Sequence, residues 1–211
     1  MKRRLLIGVS ALALIAGGGY LYLEPLAREP SGPNDCGNVL PALPAVTGQE
    51  AQVAQPNWAQ RGGTVNDASC LSRTSVAGVV NVRSEADVAT ALAYANARNL
   101  PVTAAGMKHS MGGHAFRAGG VVLDMRGLKS IRLDEAARTV TVGAGATWHD
   151  IQNAIHPKFA VKAMQSTDIF TVGGSIAVNA HGMDHQAGAV MGSIRQLKVM
   201  LADGKVVIAS P

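Results

Sequence analysis

The longest apolar run in the chain is Leu5–Leu23, nineteen residues without a charge, and Lys2, Arg3 and Arg4 stand directly before it. A helix rising ~1.5 Å per residue over that length roughly spans a bilayer core. The charge asymmetry keeps the cations cytoplasmic and places the rest of the chain outside. Tyr20 and Tyr22 fall where interfacial aromatics sit. Residues 1–23 are therefore expected to form a single-pass transmembrane helix in the cytoplasmic membrane. The competing reading is a cleaved signal, with Leu5–Ile15 as its apolar region and Ala16-Gly17-Gly18 as the cleavage site, which would leave the protein secreted. The pattern then breaks. Pro25, Pro30, Pro33, Pro41, Pro44 and Pro56 forbid a long helix or a central strand, so residues 24–65 read as a Pro/Gly/Ala-rich tether.

From residue 66 onward short periods return. Gly78–Arg83 reads as a strand. Ser84 with Asp87 three positions on makes a capping box, and Val88, Leu92 and Ala95 follow at helical spacing. Asn99-Leu100-Pro101 ends that helix, and Val102–Ala105 is a second strand, which completes a β-α-β unit. Val121–Asp124, Ser130–Leu133 and Thr139–Val142 are short strands. Thr147 and Asp150 form another capping box for a short helix that stops near Pro157. Val172–Ala180 is Gly-rich and then apolar. Leu197–Ala202 and Lys205–Ala209 flank Asp203-Gly204, a two-residue hairpin turn. The sum predicts an α+β domain with mixed sheets over residues 66–211.

Composition narrows the function. With 47% hydrophobic and 16% charged residues the chain supports a packed core. Of its net charge of +5, Lys2, Arg3 and Arg4 supply three; no basic stripe remains, so nucleic acid is not an expected partner. Two cysteines exclude a disulfide scaffold and a four-thiolate zinc site. Cys36 and Cys70 either pair across the tether, if the chain is extracytoplasmic, or are two separate thiols. His181 and His185 are four apart, but Gly182 interrupts any helix and no third ligand is evident, so no metal is expected. His149 and His156 read as surface or cap residues, and Asp124 as a strand-end turn residue. No nucleophile elbow supports hydrolysis.

The 24 glycines concentrate the remaining chemistry in two loops. The first, Ala104–His114, follows a strand. Its successive N–H groups either form a nest for a pyrophosphate or belong to an ordinary Gly-rich loop. It is neither a P-loop nor G-x-G-x-x-G, so a nicotinamide fold is excluded. The second, Val172–Gly182, carries small side chains suited to a large flat ligand.

Three features stand in order: Gly106-x-x-His109-Ser110; Thr171-Val172-Gly173-Gly174 through Asn179-x-His181-Gly182; and Leu201-Ala202-Asp203-Gly204. With them, residues from about Asn66 to Pro211 resemble the PCMH-type FAD-binding domain of the vanillyl-alcohol oxidase and p-cresol methylhydroxylase flavoproteins. The sugar-lactone and alditol oxidase branch is the nearest in appearance. The resemblance implies two small α/β subdomains with mixed sheets and FAD as cofactor. It implies that Ala105, Gly106, Met107, Lys108, His109, Ser110, Met111 and Gly112 hold the pyrophosphate, although the family pattern does not fix Lys108. It implies that Gly173, Gly174, Ser175, Asn179, His181 and Gly182 line the isoalloxazine and ribityl chain. The hairpin near Gly204 would face the adenine half. In that branch the His of Gly-x-x-His-Ser carries the flavin covalently at its 8α-methyl. His109 matches that position; non-covalent binding is the alternative.

The implied activity is oxidation of a small molecule, an alcohol, sugar lactone or hydroxy acid, with hydride passing to flavin N5. In the family the substrate domain and the catalytic base come after this portion, so no catalytic residue is expected here. The FAD-binding domain would lack its C-terminal part unless a further domain or partner chain supplies it. A non-catalytic, membrane-tethered remnant, or a module needing a partner chain, is the other reading.

Overall fold

The structure, a computed structural model, describes Leu43 and residues 54–211. The expected anchor over residues 1–23, Cys36 and most of the tether lie outside the described residues. Among the described residues no helix is long and apolar enough to cross a membrane.

The first half of the domain is built on a four-stranded sheet. Its strands are β1 (Trp58–Arg61), β4 (Gly78–Asn81), β5 (Val102–Ala105) and β6 (Val121–Asp124). Between β1 and β4 lies a small ladder of β2 (Thr64–Val65) with β3 (Thr74–Ser75). The sheet order is β1-β4-β6-β5, with β1 antiparallel to β4 and the other three parallel. Helix α1 (Glu85–Asn96) connects β4 to β5. The β-α-β unit read from the sequence is present but split, because β6 inserts between its two strands. The cause lies in β6 itself. Val121, Val122 and Leu123 are all buried, which only a central strand allows. Val121 and Leu123 pack with Val80, Val82, Ala91 and Ala95 beneath α1. Val122 packs on the opposite face with Val65, Val76 and Ala105.

Both capping boxes form as the sequence predicts. Ser84 Oγ accepts from the Asp87 N–H, and the Asp87 carboxylate accepts from the Ser84 N–H. Thr147 and Asp150 reciprocate in the same way ahead of α2 (Trp148–Ile155).

The second half has its own core of Ala146, Trp148, Ile151, Ile155, Val172 and Val190. Around it lie the hairpin of β7 (Ile131–Asp134) with β8 (Thr139–Val142), helix α2, and a short helix α3 (Val172–Ala177). A second hairpin pairs β9 (Leu197–Met200) with β10 (Val206–Ala209). Strand β7 begins one residue later than the sequence suggests.

Three elements differ from the sequence reading. Trp58–Arg61 and Thr64–Val65, assigned to the tether, are strands β1 and β2 of the domain. The signal is masked by Gln60, a polar residue only 1% exposed. Its side-chain amide is satisfied by the carbonyls of Gly62 and Thr64, at 2.6 and 3.2 Å. Helix α3 hides behind Gly173-Gly174, since glycine is a poor helix former. Thr171 compensates as its N-cap, with Oγ1 accepting from the Gly174 N–H.

Candidate functional site

The parallel strands β4, β6 and β5 all end at one edge of the sheet. From that edge Ala105 runs into the first glycine-rich loop, and Asp124 runs into a 3-10 turn at Met125–Gly127. Asp124 is a turn residue, as the sequence suggests. Its carboxylate accepts from the Arg126 backbone and guanidinium.

The two loops meet. A Cβ on Gly106 would run into Thr171 Oγ1, so the start of the first loop lies directly against the cap of α3. Three residues on, the His109 ring stands edge-on to Phe170, centroids 4.9 Å apart and planes at 75°. Backbone bonds fix the second loop from behind. Trp148 N–H donates to Phe170 O, Val172 N–H to Ala146 O, and Gly173 N–H to Ala144 O.

Within the first loop Lys108, Gly112 and Gly113 have φ of 59, 112 and 78°. The Lys108 carbonyl accepts from the Ala68 N–H at 2.9 Å. The N–H groups of Gly112 and Gly113 both donate to Asp67 Oδ2, at 2.9 and 2.7 Å. Among the described residues, the N–H groups of His109, Ser110 and Met111 have no hydrogen-bond acceptor. Successive N–H groups in a turn conformation are the kind of donors that bind anions in proteins. The Gly112 amide, counted with them in the sequence reading, is committed to Asp67 instead.

Asp67 is the residue the sequence reading missed. It is fully buried. Burial alone would raise its pKa. Hydrogen bonds from Ser69 Oγ and from the N–H groups of Gly113, Ser69 and Gly112 overcome this and lower it from 3.8 to about 2. Its local signature, Asx-turn chemistry in Asn66-Asp67-x-Ser69, was present. Its long-range partners have no local signature.

The second loop divides. Ser175 is 2% exposed, and its N–H donates to Thr171 O. Its hydroxyl accepts from Trp148 Nε1 at 3.0 Å and bonds Gln165. These bonds tie the Ser175 hydroxyl into the core. Asn179 takes φ of 46°, and its Oδ1 accepts from the Met191 N–H at 3.2 Å. A Cβ on Gly173 would meet Ala144 O at 2.9 Å, and one on Gly182 would run into Met164 O, so packing explains both glycines. Gly174 is open apart from Thr171 Oγ1 at 3.2 Å. His181 is exposed, with Nδ1 3.0 Å from Gly182 O. Cys70 is disulfide-bonded.

The profile of a family described as FAD binding domain matches residues 76–210. The chain belongs to this family. It is a family of FAD-dependent oxidoreductases, the one that the Gly106 and Gly173 motifs resemble. The residues present fit the cofactor: three N–H groups without an acceptor among the described residues stand in a loop pressed against a second, open at Gly174. FAD-dependent monooxygenase tpcD of Cochliobolus heterostrophus is 30% identical over 76% of this chain and 30% of its own length. Decaprenylphosphoryl-beta-D-ribose oxidase of Mycolicibacterium smegmatis is 33% identical over 50% of this chain and 24% of its own. The chain thus spans under a third of the length of these relatives. A solved structure, a variant of Phl p 4, a glucose dehydrogenase, shares the fold with a TM-score of 0.59. It is 19% identical, over 64% of this chain and 29% of that one.

Proposed function

We propose that the chain is the FAD-binding portion of an oxidoreductase that oxidises an alcohol, sugar lactone or hydroxy acid at a carbon bearing oxygen. The observation that carries this is the convergence of the two loops. Residues far apart in sequence, Gly106 with Thr171 and His109 with Phe170, form one surface where backbone donors lie open. Bound FAD supplies the two-electron acceptor at N5. The chain's own part is to bind and orient. The N–H groups of His109, Ser110 and Met111 take the phosphates, Gly174 lets the ligand approach the backbone, and His109 is the attachment point if the link is covalent. Substrate contacts and the catalytic base fall to a further domain or a partner chain. A sugar hydroxyl as the site of oxidation draws support from the relative whose name is a ribose oxidase.

The same reading puts the domain outside the cytoplasmic membrane, anchored through residues 5–23 or released by cleavage. The disulfide at Cys70 supports this, because such bonds persist in oxidising compartments. Cys36, the only other cysteine, is the proposed partner. The need for a partner domain or chain is favoured by one observation: β10 is exposed along its whole length and carries Val206, Val207 and Ile208.

The test is anaerobic. The full-length gene product is purified and mixed with a panel of alditols, aldonolactones and 2-hydroxy acids. Retained flavin that is bleached by one class and not the others supports the proposal. A product that retains no flavin ends it, and flavin that no compound bleaches points to the non-catalytic reading.

A further inference from the structure

We propose that Asp67 is the positioning residue of the flavin loop, holding its free N–H groups in the arrangement that receives the FAD phosphates. This rests on the reading that the first loop binds FAD. The segment 66–72 grips that loop at two points. At one, the Ala68 N–H holds the Lys108 carbonyl at 2.9 Å. At the other, the Asp67 carboxylate holds the Gly112 and Gly113 N–H groups at 2.9 and 2.7 Å. The stretch between the grips is His109, Ser110 and Met111, the three residues whose amides bond nothing else among the described residues.

The grip has a specific form. One carboxylate oxygen takes two successive N–H groups, and both of those residues sit at positive φ. The other oxygen takes the Ser69 N–H at 2.9 Å and the Ser69 hydroxyl, which fixes the carboxylate's own orientation. The Asn66 side chain completes the support by accepting from the N–H groups of Asp67 and Ser72, both at 3.0 Å. Without the carboxylate, Gly112 and Gly113 lose charge-assisted bonds, the stronger kind. The loop would then be free to turn its other amides elsewhere. These bonds of the Asp67 carboxylate run to the first loop and to its own turn, so its effect reaches FAD through that loop.

The experiment uses the full-length protein in a His109→Ala background, so that any covalent link is absent and FAD exchanges. Asp67→Ala, Asp67→Asn and Val80→Ala are compared for FAD dissociation constant, visible circular dichroism of the flavin at saturation, and Tm without FAD. Val80 is buried beneath α1 and serves as a control for lost stability alone. Asp67→Ala is expected to weaken FAD at least tenfold and to change the flavin dichroism. Asp67→Asn, which keeps one carbonyl acceptor, falls between it and the parent. Val80→Ala lowers Tm with FAD binding and dichroism unchanged. If Asp67→Asn folds and both its affinity and its dichroism match the parent, the inference is overturned. It is equally overturned if the Asp67 variants lose affinity only as Val80→Ala does. Wild-type protein that binds no FAD overturns the functional reading itself, which is a separate outcome.

Discussion

Gly106 has room for a hydrogen and nothing larger on the side that faces Thr171. Thr171 cannot swing away without cost, because it is β-branched and its Oγ1 caps α3 through the Gly174 N–H. Gly106→Ala is expected to cost about 1–3 kcal/mol, and clearly less in a Thr171→Ala background; a double-mutant cycle from urea midpoints reads the difference. His109 carries a second expectation. After acid precipitation of the complete wild-type protein, flavin fluorescence should travel with the polypeptide on a gel, and His109→Ala should lose it. Flavin released wholly into the supernatant from wild type would show that His109 holds it without a bond. Asp67 carries a third. Its folded pKa is depressed to about 2 from 3.8, so its contribution to stability is complete above the unfolded value and disappears as pH falls from about 4 towards 2. The acid side of a stability–pH profile should flatten in Asp67→Asn. The three residues also show what the sequence could reveal. Gly106 and His109 sit in a compact motif whose spacing is visible by inspection. Asp67 draws its meaning from amides 45 and 46 positions away, and nothing within a few residues of it marks that contact.

Among the elements, those fixed by neighbours in sequence were legible and those fixed by distant packing were not. The two capping boxes, Ser84 with Asp87 and Thr147 with Asp150, close within one helical turn and are visible in the sequence itself. Ser84→Ala and Thr147→Ala are each expected to cost about 1 kcal/mol. Both should also weaken the acid-side dependence of stability. Hydrogen bonds from the Arg83 N–H and from Ser84 lower the pKa of Asp87, and those from Thr147 lower that of Asp150. Depressed carboxylates add stability above their unfolded pKa and lose it on acidification. The insertion of β6 between β4 and β5 could not be read from order alone. It follows from the apolar run Val121-Val122-Leu123 demanding burial on both faces. Strand β1 escaped because Gln60, a buried polar residue, broke the alternation, and α3 escaped because its glycines argue against a helix that Thr171 nonetheless caps.

Taken whole, the described residues hold three apolar clusters, one beneath α1, one on the opposite face of the sheet around Val122, and one around Trp148. The β9–β10 hairpin is held to α1 by surface contacts: Lys198 with Glu85 at 2.6 Å and Asn96 Nδ2 to Ala202 O at 2.9 Å. Exposed ion pairs contribute little, and an isolated hairpin is marginal in water. In the 211-residue chain, amides of Leu197–Met200 and Val206–Ala209 should therefore exchange with deuterium well before those of β4 and β6; equal protection would refute this. The family match begins at residue 76, yet β1 and Asp67 lie upstream of it. Anyone building a chimera by exchanging this module between relatives would take that boundary as the splice point. A graft cut there would inherit the motif that names the family and leave behind the strand flanking its sheet and the carboxylate gripping its loop. The transplantable unit is longer at its front than the recognisable one, and a junction before Trp58 is the one expected to carry flavin binding with it.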